Sequence, residues 1–407
     1  MNHDIPDGFK MTEIGVIPDD WDIMRLGDIT KRTGYKDPSI IPEQTFKYID
    51  VSSISRESLK VSGYSIYKGN DAPSRARKLI NSHDVIIATV RPTLKRIALI
   101  DREFDGDICS TAFCVLRAKD EIILPEYIYY SIQRDIFIDA LGRIQRGVSY
   151  PAVTDSNVKE QFIPIPPLHE QRAIASILSA IQSAKEKTDA VIQATRALKK
   201  SLMKYLFTYG PVPVEEAEDV PLKKTEVGMI PEDWNVKQLV DIATLQRGKD
   251  LPRQHQVPGQ YPVVGSSGII AYHNEYVCEG PGIVTGRSGS IGKFTYIEGR
   301  HWPHNTGLYV KNFHNNVPRF IYYLLHKLDF NRYATGVSVP TLNRNFIHVA
   351  LLPVPPLPIQ QQIADILSAV DYKIEAEENR SKALDELFKT LLHNLMTGKI
   401  RVNSMEI

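Results

Sequence analysis

Two segments of this chain occur twice, in the same order. Thr12–Trp21 reads TEIGVIPDDW and Thr225–Trp234 reads TEVGMIPEDW, identical at seven of ten positions. Pro164–Ile181 reads PIPPLHEQRAIASILSAI and Pro353–Val370 reads PVPPLPIQQQIADILSAV, identical at eleven of eighteen. Weaker echoes lie between them: GVSYP (Gly147–Pro151) against GVSVP (Gly336–Pro340), and YIYY from Tyr127 against FIYY from Phe320. Internal repetition limits the fold more than composition does, because each copy must build the same supersecondary unit. The order is head, PxPPL, helix, head, PxPPL, helix. Trp21 to Pro164 spans 143 positions and Trp234 to Pro353 spans 119, so the heads diverge while their joints do not. Divergent heads on repeated joints point to two binding surfaces with different targets.

Each PxPPL segment is stiff and extended, because proline fixes its own φ and pushes its predecessor out of the helical region. After it the period turns helical. Ile174, Ile177, Ile181, Ala184, Thr188, Val191, Thr195, Leu198, Leu202 and Tyr205 fall three and four apart, with neither proline nor glycine up to Phe207. The second helix offers Ile363, Ile366, Val370, Leu384, Leu387 and Leu391, but places Lys373, Glu377 and Arg380 on its seam. Its central packing must therefore be polar or shifted in register. The two helices can pair as an antiparallel coiled coil, as a two-fold relation between the halves would arrange. The rival is two independent helices docking on different proteins. Asp84–Val90, Gly282–Thr285 and Phe294–Ile297 read as short strands between turns. The expected fold class is α+β: two strand-rich mixed heads joined by two long helices in an antiparallel coiled coil, a pseudo-two-fold internal duplication. The expected boundaries are 1–163 for the first head, 164–210 for the central joint and helix, 211–352 for the second head and 353–407 for the C-terminal joint and helix.

Composition excludes some classes. Met1–Lys10 is polar, acidic and proline-containing, unlike a signal peptide, and no apolar run is long enough to cross a bilayer. The three cysteines show no metal-ligand spacing. A cytoplasmic protein with no membrane partner is expected. The formal net charge of +1 gives no support for nucleic-acid binding by itself. Locally, Arg56–Arg102 carries ten cations against four anions, a basic stretch that permits DNA contact and equally describes a solvated surface.

Catalytic motifs fail on inspection. In GRSGSIGKF (Gly286–Phe294) a phosphate loop would need glycine at Arg287 and serine or threonine at Phe294. Asp371-Tyr372-Lys373 is the one acid-x-Lys triplet, too little for a nuclease metal centre and placed on the expected coiled coil. An adenine methyltransferase would need a glycine-rich cofactor loop and an Asn/Asp-Pro-Pro-aromatic tetrapeptide, and neither is present. His255, His301, His304 and His314 lack metal-ligand spacing. No catalytic residue and no metal are expected.

What remains suits recognition, and the resemblance described below makes double-stranded DNA the expected target. Candidate contacts are Arg91, Thr93, Lys95, Arg96 and Ser149 in the first head. In the second they are Arg247, Lys249, Arg253, Ser266, Ser267, Arg287, Ser288, Ser290, Lys293, Ser338, Asn343 and Arg344. Such side chains near glycine turns reach base edges and phosphates. For any one of them the alternative is an ordinary polar loop.

The repeated joints, together with LMTGKIRV at Leu395–Val402, resemble the DNA specificity subunits of type I restriction-modification systems across essentially the whole chain. In the second head YPVVGSSGIIAY (Tyr261–Tyr272) and TGRSGSIGKF (Thr285–Phe294) resemble one common type of target-recognition domain, whereas the first has ATVRPTLKR (Ala88–Arg96) instead. The resemblance implies a non-catalytic subunit whose heads, the target-recognition domains, each read one half of a bipartite, asymmetric site. It implies helices that set the spacer and dock two modification subunits, with restriction subunits completing the enzyme. No cofactor is expected on this chain; S-adenosylmethionine, ATP and Mg are implied for the partner subunits. The alternative is a stand-alone two-headed DNA-binding or scaffold protein.

Overall fold

A computed structural model describes residues 5–336 and 340–402. Main-chain contacts divide the chain into two compact units, one of Met1–Asp189 with Asn379–Ile407, the other of Ala190–Glu378. The helices Leu168–Tyr209 and Leu357–Met396, 42 and 40 residues long, each give part of their length to both units. Among the described residues no helix is long and apolar enough to cross a membrane.

The first unit is built on an antiparallel sheet in the order Thr30–Lys31, Phe113–Ala118, Val85–Ala88, Ile97–Leu99. A second sheet orders Ser65–Lys68, Thr45–Ile49, Ile108–Ser110, Ala76–Leu79, with Ile108–Ser110 parallel to Thr45–Ile49. The second unit repeats the first sheet strand for strand as Thr244–Arg247, Gly307–Asn312, Gly282–Gly286, Phe294–Ile297. Its other sheet, Gly268–His273, Tyr261–Gly265, Trp302–Pro303, keeps the parallel pair and reduces the strand Ala76–Leu79 to the antiparallel bridge Cys278–His301. Most of the extra length of the first head lies in residues 50–64, where the second head has only the turn Ser266–Ser267.

The repeated motifs are neighbours in space. Asp22–Arg25, just after Trp21, pairs antiparallel with Phe162–Ile165, which carries the start of PxPPL; Asn235–Gln238 pairs with Leu351–Val354 in the same way. Gln171 and Gln360, at equivalent positions, are buried. The Gln171 amide donates to the carbonyls of Pro166 and Ile122 while its oxygen accepts from the Leu124 N–H; the Gln360 amide donates to the Pro355 carbonyl and the Asn316 side-chain oxygen while its oxygen accepts from the Val317 N–H. Each glutamine thus fastens the start of a head helix, Pro125–Ser131 or Pro318–Leu325, to its joint. The YIYY and FIYY echoes are the next fastening. Tyr130 donates to Gln182, and Tyr323 donates to Asp371 on the corresponding face of the other long helix. Asp371 also pairs with Lys199, so the Asp371-Tyr372-Lys373 triplet serves packing.

Within each unit the two long helices run antiparallel. In the first, Asp189 accepts from Ser381 while Ala173, Ile174 and Leu178 share a core with Leu395 and Met396. In the second, Arg196 pairs with Glu378 and Lys199 with Asp371, while Leu206 and Phe207 share a core with Ile363 and Leu367. The expected seam holds at Ile174, Thr188 and Ile363 but fails at Val191, Leu198, Ile366 and Leu387, which are exposed; Ile192 and Leu367 are buried beside them. The reason is polar packing. Glu377 is buried with Lys373 as a partner, and a seam carrying such groups cannot keep a strict apolar heptad.

Each long helix ends in a left-handed glycine against a head tryptophan. Gly398 lies against Trp21 in the first unit, and Gly210 against Trp234 in the second. The first unit adds a polar clasp. Glu170, wholly buried, accepts from the Trp21 indole N–H at 2.9 Å and from Arg401 at 2.9 and 3.1 Å, and Arg401 also pairs with Asp20. The guanidinium holds the Asp20 carboxyl below the usual carboxylate range. Ile359 stands at the Glu170 position in the second unit and needs no such partner. Glu170→Ala strands the buried indole N–H and one side of Arg401, an expected loss of about 2 kcal/mol. Glu170→Gln keeps an acceptor for Trp21 and should cost less. Denaturant unfolding followed by tryptophan fluorescence measures both, and equal losses for the two variants would show that the indole hydrogen bond contributes nothing.

Candidate nucleic-acid interface

In the second head the turn His304–Gly307 organises one end of the main sheet. The His304 N–H donates to Val264 at 2.8 Å, the Arg287 N–H to Thr306 at 2.9 Å and the Gly248 N–H to Gly307 at 3.1 Å. The Thr306 hydroxyl accepts from the Ser266 N–H at 3.3 Å, and Lys249 bridges His304 through the main chain. Gly248 cannot be replaced here, since a Cβ would stand 2.2 Å from the His304 carbonyl oxygen. The Leu342 N–H donates to the Arg287 carbonyl at 2.7 Å, Ser288 bridges Thr341, and Lys293 donates to the Ser267 carbonyl at 3.1 Å.

These contacts bring Arg247, Lys249, Ser266, Ser267, Arg287, Ser288, Ser290 and Lys293 to one sheet end. Asn343 and Arg344, next along from Leu342, open the short helix Arg344–Ile347 there, with Asn343 capping it. Arg253 sits apart on the exposed turn Arg253–His255. Ser338 lies outside the described residues. Arg247 and Asp250 are 3.8 Å apart, a weak exposed pair. Lys249, Lys293 and Arg344 are exposed. Arg287 is half-buried, and its Nε is buried without a partner among the described residues, as is the Thr285 hydroxyl. Such groups cost about 1–3 kcal/mol until something satisfies them, so each needs an explanation, and an arriving acceptor supplies one for Arg287. Burial lowers the pKa of His301 and of His304, which favours the neutral ring over the charged one. Among the described residues no group of three or more metal-ligating side chains exists.

The first head has the same sheet end with different chemistry. Ala88 faces Phe113 as Gly286 faces Gly307, so Thr89 occupies the place of Arg287. The Thr89 N–H donates to Ala112 at 2.7 Å and the Val153 N–H donates to the Thr89 carbonyl at 2.9 Å, matching the two main-chain bonds of Arg287. Thr89 is buried, with its hydroxyl donating to Ala112 at 2.9 Å. Arg91 comes two residues later, in the left-handed region at φ 51°, and its guanidinium donates to the Ser149 carbonyl at 2.9 Å. Thr93 is exposed, with its methyl against Gly142. Lys95 pairs with Asp135 at 2.6 Å, and Arg96 donates to the carbonyls of Val51 and Ile54 at 2.7 and 2.6 Å. Arg91, Thr93 and Ser149 therefore meet the surface together, whereas Lys95 and Arg96 are engaged in holding the fold.

Half of the basic stretch seen in the sequence is neutralised. Lys60, Lys68, Arg77, Lys78 and Lys95 each have a carboxylate partner, and all five partners, Glu186, Glu43, Asp37, Asp155 and Asp135, lie outside Arg56–Arg102. Lys78 is buried against Asp155 and the Phe113 carbonyl. Counting charge along the chain overlooked partners contributed by distant segments. Cys109 and Cys114 are core residues, and burial pushes the Cys114 thiol up to about 12. Thr306 and Thr89 were not expected at the interface, and His304 only as a loop or base-contacting histidine. Only strand register reveals them, because the equivalent turns, HNTG with His304 and Thr306 and STAF with the Ala112 that holds Thr89, share little in sequence.

The family model for the type I restriction modification DNA specificity domain matches residues 18–194 and again 231–386. The MjaVIII specificity subunit of Methanocaldococcus jannaschii, a type I restriction enzyme subunit, is 24% identical over 96% of this chain and 95% of its own length. The MjaX specificity subunit of the same organism, a putative one, is 25% identical over 98% of each chain. A solved chain described under "complex assembly and conformational transition of the type I R-M system" is 25% identical, with a TM-score of 0.55 over 94% of this chain and 99% of that one. The type I S subunit of M. genitalium, 18% identical, shares the fold with a TM-score of 0.66 over 92% and 96% of the two chains. With both copies of the repeat matched, this chain belongs to the type I restriction-modification DNA specificity family.

Proposed function

We propose that the chain is the DNA-recognition subunit of a type I restriction-modification enzyme and catalyses nothing itself. Each head reads one half of a bipartite, asymmetric site in double-stranded DNA. The long helices set the spacer and receive two modification subunits, which would bring S-adenosylmethionine, while restriction subunits would bring ATP and Mg. The protein then works in the cytoplasm, where the DNA is. The observation that carries this reading is one sheet end built twice on the same main-chain hydrogen bonds with different side chains: Arg287 in one head, Thr89 in the other. Equal frames with unequal contents are what two unlike half-sites require.

Arg287→Ala tests it. Arginine on guanine is a common specific contact, worth roughly 1–3 kcal/mol of discrimination, or about 5- to 150-fold. The variant should lose that much preference within one half-site and keep the other, measured on duplexes scrambled in each half. A uniform loss with a shallower salt dependence would make Arg287 a phosphate contact. Unchanged discrimination in both halves would remove it from the interface. Methyl transfer by the purified chain alone would refute the non-catalytic reading.

A further inference from the structure

In the first head the loop at residues 146–151 is held at both ends and bare at its tip. Arg146 and Ala152 exchange main-chain hydrogen bonds of 2.9 and 2.8 Å, and Ala152 also bridges Val90. Arg91 holds the loop from inside. Its N–H donates to the Pro151 carbonyl at 2.7 Å, its guanidinium donates to the Ser149 carbonyl, and the same group lies 4.8 Å from the centre of the Tyr150 ring. To do this Arg91 adopts the left-handed backbone, a strained state for a non-glycine residue that only over-determined surroundings maintain. The product is a preorganised tip in which Val148 is 100% exposed and Tyr150 72%.

Single exposed apolar residues are ordinary on protein surfaces. This one stands among cations: Arg91, Arg143 and Arg146 are all exposed, and none has a carboxylate within ion-pair distance among the described residues. Elsewhere in this head the cations beside the tip's framework are neutralised, Lys95 by Asp135 and Lys78 by Asp155. An apolar apex on a loop that also carries the exposed Arg146 is complementary to nucleic acid, whose phosphates take the arginine while a thymine methyl or an opened base step takes the apolar group.

We infer that residues 146–151 form a reading finger of the first head, with Val148 contacting a base and Arg91, stacked on Tyr150, bracing it. The inference rests on the DNA-recognition reading above and names the residues that would confer specificity where the first head lacks an arginine at the Arg287 position. GVSVP is the counterpart in the second head, and its Val337 and Ser338 lie outside the described residues.

The test uses the full chain co-purified with its modification subunits, selecting bound duplexes from a randomised library. Wild type should enrich a bipartite sequence. Val148→Ala, which removes two methyl groups from a fully exposed position and so leaves folding intact, should lower preference about tenfold at one or two adjacent base pairs of one half-site. Arg91→Ala should weaken that same half, and Val214→Ala, an exposed valine of the other unit, should change nothing. Loss of the preference when thymine is replaced by uracil at that position would place Val148 against the methyl group; 2-aminopurine brightening there, lost in Val148→Ala, would place it between opened bases. If wild type enriches a site and Val148→Ala enriches it equally, the finger is wrong and the recognition reading stands. If wild type enriches no sequence, both fall.

Discussion

Exchanging residues 26–161 for the corresponding stretch of a relative is expected to replace one half of the recognised DNA sequence and leave the other half unchanged. The cut points follow from packing. Trp21 is fastened to Glu170, and Asp22–Arg25 pairs with Phe162–Ile165, so these residues belong to the joint and must stay together. Between them lie both sheets of the first head and the candidate contacts Arg91, Thr93 and Ser149. Gln171 must remain able to hold the residues ahead of the head helix, so the donor should keep a proline-started helix at that place. Specific sites are typically bound 10³- to 10⁷-fold more tightly than random DNA, so a true exchange replaces one set of methylated genomic sites with another. Mapping adenine methylation in a host carrying the chimera reads the result. A shift in both halves would mean the heads read DNA jointly.

Lengthening the long helices together is expected to change only the distance between half-sites. The insertion points are Asp189/Ala190 and Glu378/Asn379, where the compact units divide. Seven residues added at each leave Asp189–Ser381 intact in the first unit and Arg196–Glu378 and Lys199–Asp371 intact in the second. A heptad also preserves the packing seam, with a drift of about 20°. It adds about 10 Å of helix, or roughly three base pairs at about 3.4 Å each. Three added pairs turn the DNA by about a right angle, so some affinity goes into twisting or bending, a few kcal/mol at most. Methylation of duplexes with fixed half-sites and graded spacers should move to a longer optimum. Retention of the original spacing would show that the helices do not set it, and a heptad in only one helix should abolish assembly.

The architecture was legible because repetition leaves marks that local sequence can carry. Two copies of the tryptophan segment and of PxPPL announced two heads and two helices, and the structure shows why those residues recur: they are the paired strands and the buried glutamine that root each head. Proline, β-branched runs and helical spacing act over a few residues, so they can be read from a line of text. The helix seam was read less well. Val191 and Leu198 fit the period yet face solvent, because Glu377, Thr188 and Asp189 bring polar partners that period counting cannot weigh.

The candidate interface divides along the same boundary. Glycine turns and arginines pointed to Arg287 and its neighbours from sequence alone, since a tight turn that exposes a cation is a local property. Which residues stand opposite one another was decided by strand register. That register puts Thr89 in the place of Arg287, makes the His304–Gly307 turn the hub, commits Arg96 to two carbonyls and pairs Lys78 with Asp155 across a separation of 77 residues. By itself the sequence determined that this protein has two heads on one repeated frame with two long helices. Only the tertiary structure decided which charges remain free to meet DNA, because an ion pair depends on distance through space, and the partners come from segments far apart in the chain.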